Sequence, residues 1–137
     1  MSKLARVLLV EDDEVDVMTV RRAFKRTEQN LPLEVRGDGV RALSALRNGE
    51  IRVEGLLILL DINMPRMNGL EFLEEIRRDP KLRAIPVVVL TSSDHERDRF
   101  EAYNQNVAGY IVKPVTFEKF VEVVSALGDY WSSVEFP

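Results

Sequence analysis

Asp61 directly follows an uninterrupted apolar run, the segment 56–60. Five apolar residues without polar alternation are typical of a strand that is buried on both faces of a parallel sheet. Pro65 and the pair Asn68–Gly69 mark the following segment as a loop built from turns. Open parallel sheets bind ligands beyond the carboxyl ends of their strands, so Asp61 is the first candidate for chemistry. The alternative is that its carboxylate only caps the next helix.

Three other apolar runs are also followed by polar side chains. These are Glu11 and Asp12 after the run 7–10, Thr91 after 87–90, and Lys113 after 109–112. The carboxyl ends of parallel strands share one edge of a sheet, so we expect these side chains to converge. Clustered carboxylates without a soft ligand suit a hard cation such as Mg²⁺. A carboxylate beside such an ion can attack phosphorus and form an acyl phosphate, while a lysine and a hydroxyl stabilise the phosphoryl oxygens.

Each of these side chains also has a structural interpretation when it is taken alone. The carboxylates between positions 11 and 14 could simply complement a helix dipole. Thr91 could merely end a strand, and Lys113 could be a solvated turn residue. Their joint occurrence at successive strand ends favours chemistry. No histidine or glutamate is placed as a general base for rapid hydrolysis of an acyl phosphate.

Strand and helix patterns alternate five times along the chain, at spacings of roughly 20–30 residues. The predicted strands are 7–10, 33–36, 56–60, 87–90 and 109–112, and the predicted helices are 14–27, 41–47, 70–78, 95–105 and 117–127. Ser92, Ser93 or Asp94 should cap the fourth helix, and Gly128 should end the fifth. The alternation predicts an α/β fold with one doubly wound parallel sheet. We expect a single domain over 1–137, with a core of about 5–128 and an apolar tail over 129–137.

The composition argues against several classes of function. The 137 residues contain no cysteine, which excludes disulfides and thiolate zinc sites. One histidine, His95, cannot form a histidine-rich metal site. A net charge of −4 argues against nucleic-acid and anionic-membrane partners. No run reaches membrane-spanning length and no signal-peptide core is evident, so the expected location is cytoplasmic.

As a set, four motifs resemble the receiver domains of two-component response regulators over essentially the full chain. The motifs are Val10–Asp13, Asp61–Gly69, Val89–Ser92 and Tyr110–Pro114. The resemblance implies a flavodoxin-like (βα)5 fold with strand order 2-1-3-4-5. It also implies that Asp61 accepts a phosphoryl group from the phosphohistidine of a histidine sensor kinase in a Mg²⁺-dependent reaction. Such a protein signals rather than acting as an enzyme, although it assists its own phosphotransfer and slow autodephosphorylation.

The same resemblance implies a metal site. Asp12 and Asp61 would bind Mg²⁺ directly, and Mn²⁺ or Ca²⁺ could take its place. Glu11 would act through a water molecule, and Asn63 would contribute its backbone carbonyl. Asp13 falls one position past the acidic pair and is not expected to be a ligand.

The resemblance further implies how the phosphoryl group is held and read. Lys113 would pair with the phosphoryl group, and the Lys113–Pro114 peptide bond would be cis. Phosphorylation would draw the Thr91 hydroxyl toward the phosphoryl group, and the ring of Tyr110 would then turn inward. Thr91 and Tyr110 are therefore the expected switch residues.

The last helix is apolar on more than one face, which predicts a homodimer through the fourth helix, the fifth strand and the last helix. The expected dimer face consists of Phe100, Tyr103, Phe120, Val124, Leu127 and Trp131. The alternative is that these side chains cover the core of their own chain. No effector domain is expected after residue 127, so the output should be a protein contact.

The segment Asp79–Pro86 and the pair Tyr130–Trp131 are similar to single-domain regulators that partner phytochrome-type kinases. A bacterial phytochrome is therefore the favoured partner, and a chemotaxis-like or phosphorelay receiver is the alternative. A haloacid-dehalogenase-like phosphatase is a rival from another class, but it needs a second acid where Asn63 stands. A flavodoxin would need a phosphate-binding loop after the first strand, and that loop is missing.

Overall fold

The computed structural model describes residues 3–27, 31–113 and 116–136. Strands and helices alternate through these ranges as β1 Arg6–Val10, α1 Glu14–Arg26, β2 Leu33–Arg36, α2 Gly39–Arg47, β3 Leu56–Leu60, α3 Gly69–Arg78, β4 Val87–Thr91, α4 Glu96–Asn104, β5 Gly109–Val112 and α5 Phe117–Ser133. The predicted cis bond at Lys113–Pro114 lies outside the described residues. Among the described helices, none is long and apolar enough to cross a membrane.

The five strands form one parallel sheet in the order β2-β1-β3-β4-β5. This confirms the predicted strand order. In the register of the two innermost pairs, Val10 lies opposite Leu60 and Leu60 opposite Val89. The carboxyl ends of β1, β3 and β4 therefore finish side by side at one edge of the sheet.

Side chains of β3 alternate between two apolar cores because successive residues of a strand point to opposite faces. Ile58 and Leu60 pack with α2, α3 and α4, and Leu57 and Leu59 pack with α1 and α5. All five residues of β3 are buried. Burying each leucine side chain contributes about 1.5–3 kcal/mol, so the strand that ends at Asp61 is held firmly on both faces.

The start of α4 differs from the prediction that Ser92, Ser93 or Asp94 caps this helix. The N-cap residue is His95, and its side chain makes no capping hydrogen bond. The hydroxyl of Ser93 instead donates to Asp98 Oδ2 at 2.5 Å, inside the first turn of α4. The prediction is wrong because the serine interacts with an acidic side chain of the helix rather than with its free N–H groups.

The helix α5 continues six residues beyond the predicted end at Leu127. Gly128 lies inside the helix and is buried. Trp131 and Phe136 are also buried, and their ring centroids are 5.5 Å apart. A glycine inside a helix costs about 1 kcal/mol, which is less than the burial of one large aromatic ring contributes. The expected end of the core at about residue 128 is therefore wrong.

The expected dimer face is only partly on the surface. Phe120, Val124 and Trp131 are buried against the sheet of their own chain, so their assignment to an exposed face is wrong. The helix α5 turns these side chains inward because they recur at helical spacing on the side that faces β1, β3 and β4. Phe100 and Tyr103 on α4 are exposed, by 66% and 50%.

Candidate functional site

The predicted residues at four strand ends meet at the carboxyl edge of the sheet. The hydroxyl of Thr91 donates to Asp61 Oδ1 at 2.6 Å. Lys113 Nζ lies 2.6 Å from Glu11 Oε1 and 3.6 Å from Asp61 Oδ2. Asp61 is therefore in contact with Thr91, which ends the adjacent strand β4, and with Lys113, which follows β5.

The backbone around Asp61 is fixed by close packing. Its N–H donates to the carbonyl of Val10 at 3.0 Å, and its Oδ1 accepts the N–H of Asn63 at 3.2 Å. A Cβ atom at position 69 would lie 2.4 Å from the Asp61 carbonyl oxygen, so Gly69 is required where α3 begins. The predicted turn residue thus lets the start of α3 approach the backbone of Asp61 and Ile62 closely.

Three carboxylates of this edge form a compact group of oxygen ligands. One oxygen from each of Glu11, Asp12 and Asp61 lies within 4.8 Å of the others. Glu11 and Asp61 are buried, whereas Asp12 is exposed to solvent. Oxygen ligands with an open side are what a hard divalent cation requires, so these residues fit Mg²⁺ or a similar ion.

The environment of this edge also perturbs the carboxylate of Glu11. Burial raises the pKa of Glu11 to about 8, and the nearby charge of Asp61 adds to this effect. The hydrogen bond from Lys113 acts in the opposite direction. A cation between the carboxylates would remove the repulsion, which is a second reason to place a metal here.

Lys113 is the cationic centre of the site. Burial alone would lower the pKa of its ammonium group, but hydrogen bonds to Asp16 and Glu11 raise it above the ordinary value. Lys113 is therefore charged in the folded protein and can attract an anion toward Asp61.

The two expected switch residues are connected through Ser93. The N–H of Ser93 donates to Thr91 Oγ1 at 3.3 Å, and its carbonyl accepts the hydroxyl of Tyr110 at 2.9 Å. The guanidinium of Arg99 lies 5.6 Å from the centre of the Tyr110 ring. A displacement of Thr91 would therefore reach Tyr110 and α4 through hydrogen bonds of one buried serine. The movement of Thr91 and Tyr110 on phosphorylation stays a prediction.

Comparison with known proteins identifies the family. The profile of the response regulator receiver domain matches residues 7–125. The chain belongs to this family. It is a receiver-domain response regulator, as the sequence motifs predict.

Two sequence relatives cover most of this receiver domain. The probable methanogenesis regulatory protein FilR2 of Methanothrix harundinacea is 40% identical over 127 residues, which are 91% of this chain and 82% of the relative. The response regulator Rcp1 of Synechocystis sp. is 35% identical over 128 residues, which are 91% of this chain and 87% of the relative.

Solved structures agree with this assignment. The phosphorylated cyanobacterial phytochrome response regulator RcpA is 33% identical with a TM-score of 0.88, and the match covers 97% of this chain and 98% of that chain. The Mn²⁺-bound form of Rcp1 is 34% identical with a TM-score of 0.84, and the match covers 97% and 99%. This receiver domain therefore has phytochrome response regulators among its homologues.

Sequence reasoning missed one residue of the site, Asp16. Its Oδ2 lies 2.6 Å from Lys113 Nζ, as close as the carboxylate of Glu11. Asp16 lies in the first turn of α1, where a side chain can reach the carboxyl ends of the strands. The acidic residues at the start of this helix were the available signal, but the sequence does not distinguish an inward from an outward carboxylate.

Proposed function

We propose that Asp61 is the phosphoacceptor of this receiver domain. The observation that carries the proposal is the convergence of a hydroxyl, an ammonium group and two carboxylates on one buried aspartate. The Thr91 hydroxyl lies 2.6 Å from Asp61 Oδ1, and Lys113 Nζ lies 3.6 Å from Asp61 Oδ2. Glu11 and Asp12 contribute oxygens to the same cluster. An aspartate that only caps a helix does not require contacts with a hydroxyl, an ammonium group and further carboxylates.

The proposed reaction is the transfer of a phosphoryl group from a phosphohistidine. A carboxylate oxygen of Asp61 forms a bond to phosphorus, while the bond between phosphorus and the histidine nitrogen breaks. The electron pair of that bond stays on the imidazole, which takes a proton from water, and the product is an acyl phosphate. Lys113 offers its positive charge and Thr91 its hydroxyl to the phosphoryl oxygens. The protein thus assists its own phosphotransfer and its slow dephosphorylation, but its role is signalling.

A divalent cation is part of the proposal, and Mg²⁺ is the favoured ion. Asp12, Asp61 and the backbone carbonyl of Asn63 would hold it directly, and Glu11 through water. When bound, a divalent cation would neutralise part of the negative charge on the phosphoryl group. The Mn²⁺-bound form of the relative Rcp1 supports a divalent metal in this chain.

The proposed phosphodonor is a histidine sensor kinase of the phytochrome type. The phytochrome response regulators among the relatives support this choice. Next to the carboxylate cluster, α1 exposes the apolar side chains Val15 and Met18 by 71% and 60%. These exposed side chains are proposed to contact the kinase that brings its phosphohistidine to Asp61. A cytoplasmic location and the absence of nucleic-acid and membrane partners stay predictions from the sequence.

A phosphorylation assay tests the proposed acceptor. The purified chain is incubated with candidate phytochrome kinases, labelled ATP and Mg²⁺, and the acyl phosphate is mapped by mass spectrometry. We expect label on Asp61 and its loss in Asp61→Asn. Asp94→Asn is the matched control, because Asp94 is exposed and pairs with Arg99 rather than with the site. Equal labelling of Asp61→Asn and the wild type would refute the assignment.

The proposed output surface comprises α4, β5 and α5, and a homodimer through this surface is part of the proposal. Ser93 connects the start of α4 to Thr91 and Tyr110. Exposed aromatic side chains of α4 and α5 support a contact with a second copy.

A further inference from the structure

Asp16 contacts the ammonium group of Lys113 more closely than Asp61 does. Lys113 Nζ is 2.6 Å from Asp16 Oδ2 and 2.6 Å from Glu11 Oε1. The distance from Nζ to Asp61 Oδ2 is 3.6 Å. Of three carboxylates around the lysine, the proposed phosphoacceptor is thus the one that it approaches least.

The start of α1 explains why Asp16 reaches the lysine. Asp13 caps the helix, because its Oδ1 accepts the N–H of Val15 at 2.8 Å and that of Asp16 at 3.1 Å. Capping fixes the backbone of the first turn beside the end of β1. The Asp16 carboxylate, held by this first turn, contacts the ammonium group at 2.6 Å.

The two close anchors of Lys113 differ in their exposure to water. The side chain of Glu11 is 2% exposed and that of Asp16 is 29% exposed. Water weakens a partly exposed ion pair, so the contact with Asp16 is the one that is more easily exchanged. The ammonium group has three donors on a flexible stem, and it can keep Glu11 while it changes its second partner.

We propose that Asp16 is a positioning residue that holds Lys113 back from Asp61 until Asp61 is phosphorylated. The inference rests on the function proposed above. A phosphoryl group brings nearly two negative charges and three acceptor oxygens to Asp61. Lys113 then exchanges Asp16 for a phosphoryl oxygen and keeps its contact with Glu11. Because the old ion pair must break before the new one forms, Asp16 slows phosphorylation and disfavours the phosphorylated state.

Phosphorylation of the full chain by acetyl phosphate in the presence of Mg²⁺ tests this role. At low donor concentration, Asp16→Asn should be phosphorylated about two- to fivefold faster than the wild type, the factor that corresponds to one exposed ion pair. Glu14→Gln is the matched control, because it removes the same charge from an exposed residue of the same helix turn. The Glu14 carboxylate is not among the described contacts of Lys113. Equal rates for the two variants would overturn the inference.

Variants built on Lys113→Met separate the positioning of Lys113 by Asp16 from a general effect of the Asp16 charge. In Lys113→Met, the additional Asp16→Asn substitution should leave the rate unchanged, because no ammonium group is there to be held back. If Asp16→Asn still accelerates phosphorylation in Lys113→Met, the effect comes from the negative charge of Asp16 acting on the site directly. That result would overturn the positioning role.

The inference and the proposed function fail in different ways. If the wild type is not phosphorylated on Asp61, the proposed function is wrong. The ion pair can then still be measured by urea denaturation, where Asp16→Asn should lower the midpoint in the wild type but not in Lys113→Met. If the wild type is phosphorylated but Asp16→Asn and Glu14→Gln behave alike, the function stands and the role of Asp16 is refuted.

Discussion

Glu11 is the residue at which burial, charge repulsion and metal binding act on the same carboxylate. Its Oε1 accepts from Lys113 and its Oε2 from the N–H of Asp13, so both oxygens have a partner inside the protein. Burial nevertheless raises its pKa to about 8. At pH values between the ordinary pKa of a glutamate in the unfolded chain and about 8, Glu11 is protonated in the folded protein but ionised in the unfolded chain. The folded protein therefore binds more protons than the unfolded chain in this range. The free energy of unfolding of the metal-free protein should therefore fall as the pH rises through this window.

The raised pKa of Glu11 predicts a pH-dependent affinity for Mg²⁺. The cation favours the ionised carboxylate cluster, so its affinity should rise with pH up to about 8 and then level off. The rise should be at most about tenfold per pH unit if one proton is released. Calorimetric titrations with Mg²⁺ from about pH 6 to about pH 9 measure it. Glu11→Gln carries no titrating group and should flatten the profile, and an equally steep profile in this variant would contradict the explanation.

At the scale of whole elements, α5 shows how tertiary packing extends a helix past a local stop. The residues beyond Gly128 bring Trp131 under the sheet, where its ring contacts Phe136. Tyr130, the residue before Trp131 in the helix, is 62% exposed. Neighbouring aromatic residues of this helix therefore have opposite environments, which allows a matched test of the extension.

Trp131→Ala should lower the free energy of unfolding by about 3–5 kcal/mol, because it removes a large buried ring and leaves a cavity. Tyr130→Ala should change it by about 1 kcal/mol or less, since this side chain is largely exposed and contacts the core through the edge-to-face pair with the Trp131 ring. Urea denaturation followed by circular dichroism compares the two variants. Similar destabilisation by both substitutions would contradict the packing of α5 described here.

The elements themselves could be predicted well from the sequence, but their ends could not. Short apolar runs bounded by turn residues identify β3 and β4, because such runs are typical of strands buried on both faces and are too short for most helices. The end of α5 and the N-cap of α4 depend instead on contacts with other parts of the fold. Gly128 is a stop signal only when nothing beyond it is buried, and Ser93 is a cap only when no acidic side chain competes for its hydroxyl.

At the scale of the whole molecule, the convergence of Asp61, Thr91 and Lys113 could also be predicted, because parallel strands bring their carboxyl ends to one edge. The position of Asp16 could not, since it depends on the direction of a helical side chain toward a strand that is distant in the sequence. The same limit applies to the dimer face. Helical periodicity shows that α5 has apolar residues all round, but only the fold shows that Phe120 and Val124 are on the inner side.

Exposed apolar side chains on α4, β5 and α5 predict where a second copy binds. Phe100 and Tyr103 lie on α4, Val112 on the edge strand β5, and Tyr130 on α5, and all four are exposed. Beside them, a groove of about 360 Å³ is lined by Ile111, Leu127 and Tyr130, among other residues. An apolar surface at a sheet edge is more stable when it is covered, and a second copy presents the same surface in return.

Light scattering of the purified chain should therefore show a dimer at concentrations on the order of micromolar, a typical affinity for an interface of standard size. Phe100→Asp places a charge on the proposed contact surface and should give a monomer. Its free energy of unfolding should stay within about 0.5 kcal/mol of the wild type, because Phe100 is exposed. Met18→Asp is the matched control, since Met18 is also exposed but lies on α1. A wild type that stays monomeric with and without acetyl phosphate, or a dimer that Met18→Asp disrupts and Phe100→Asp does not, would exclude this surface as the interface.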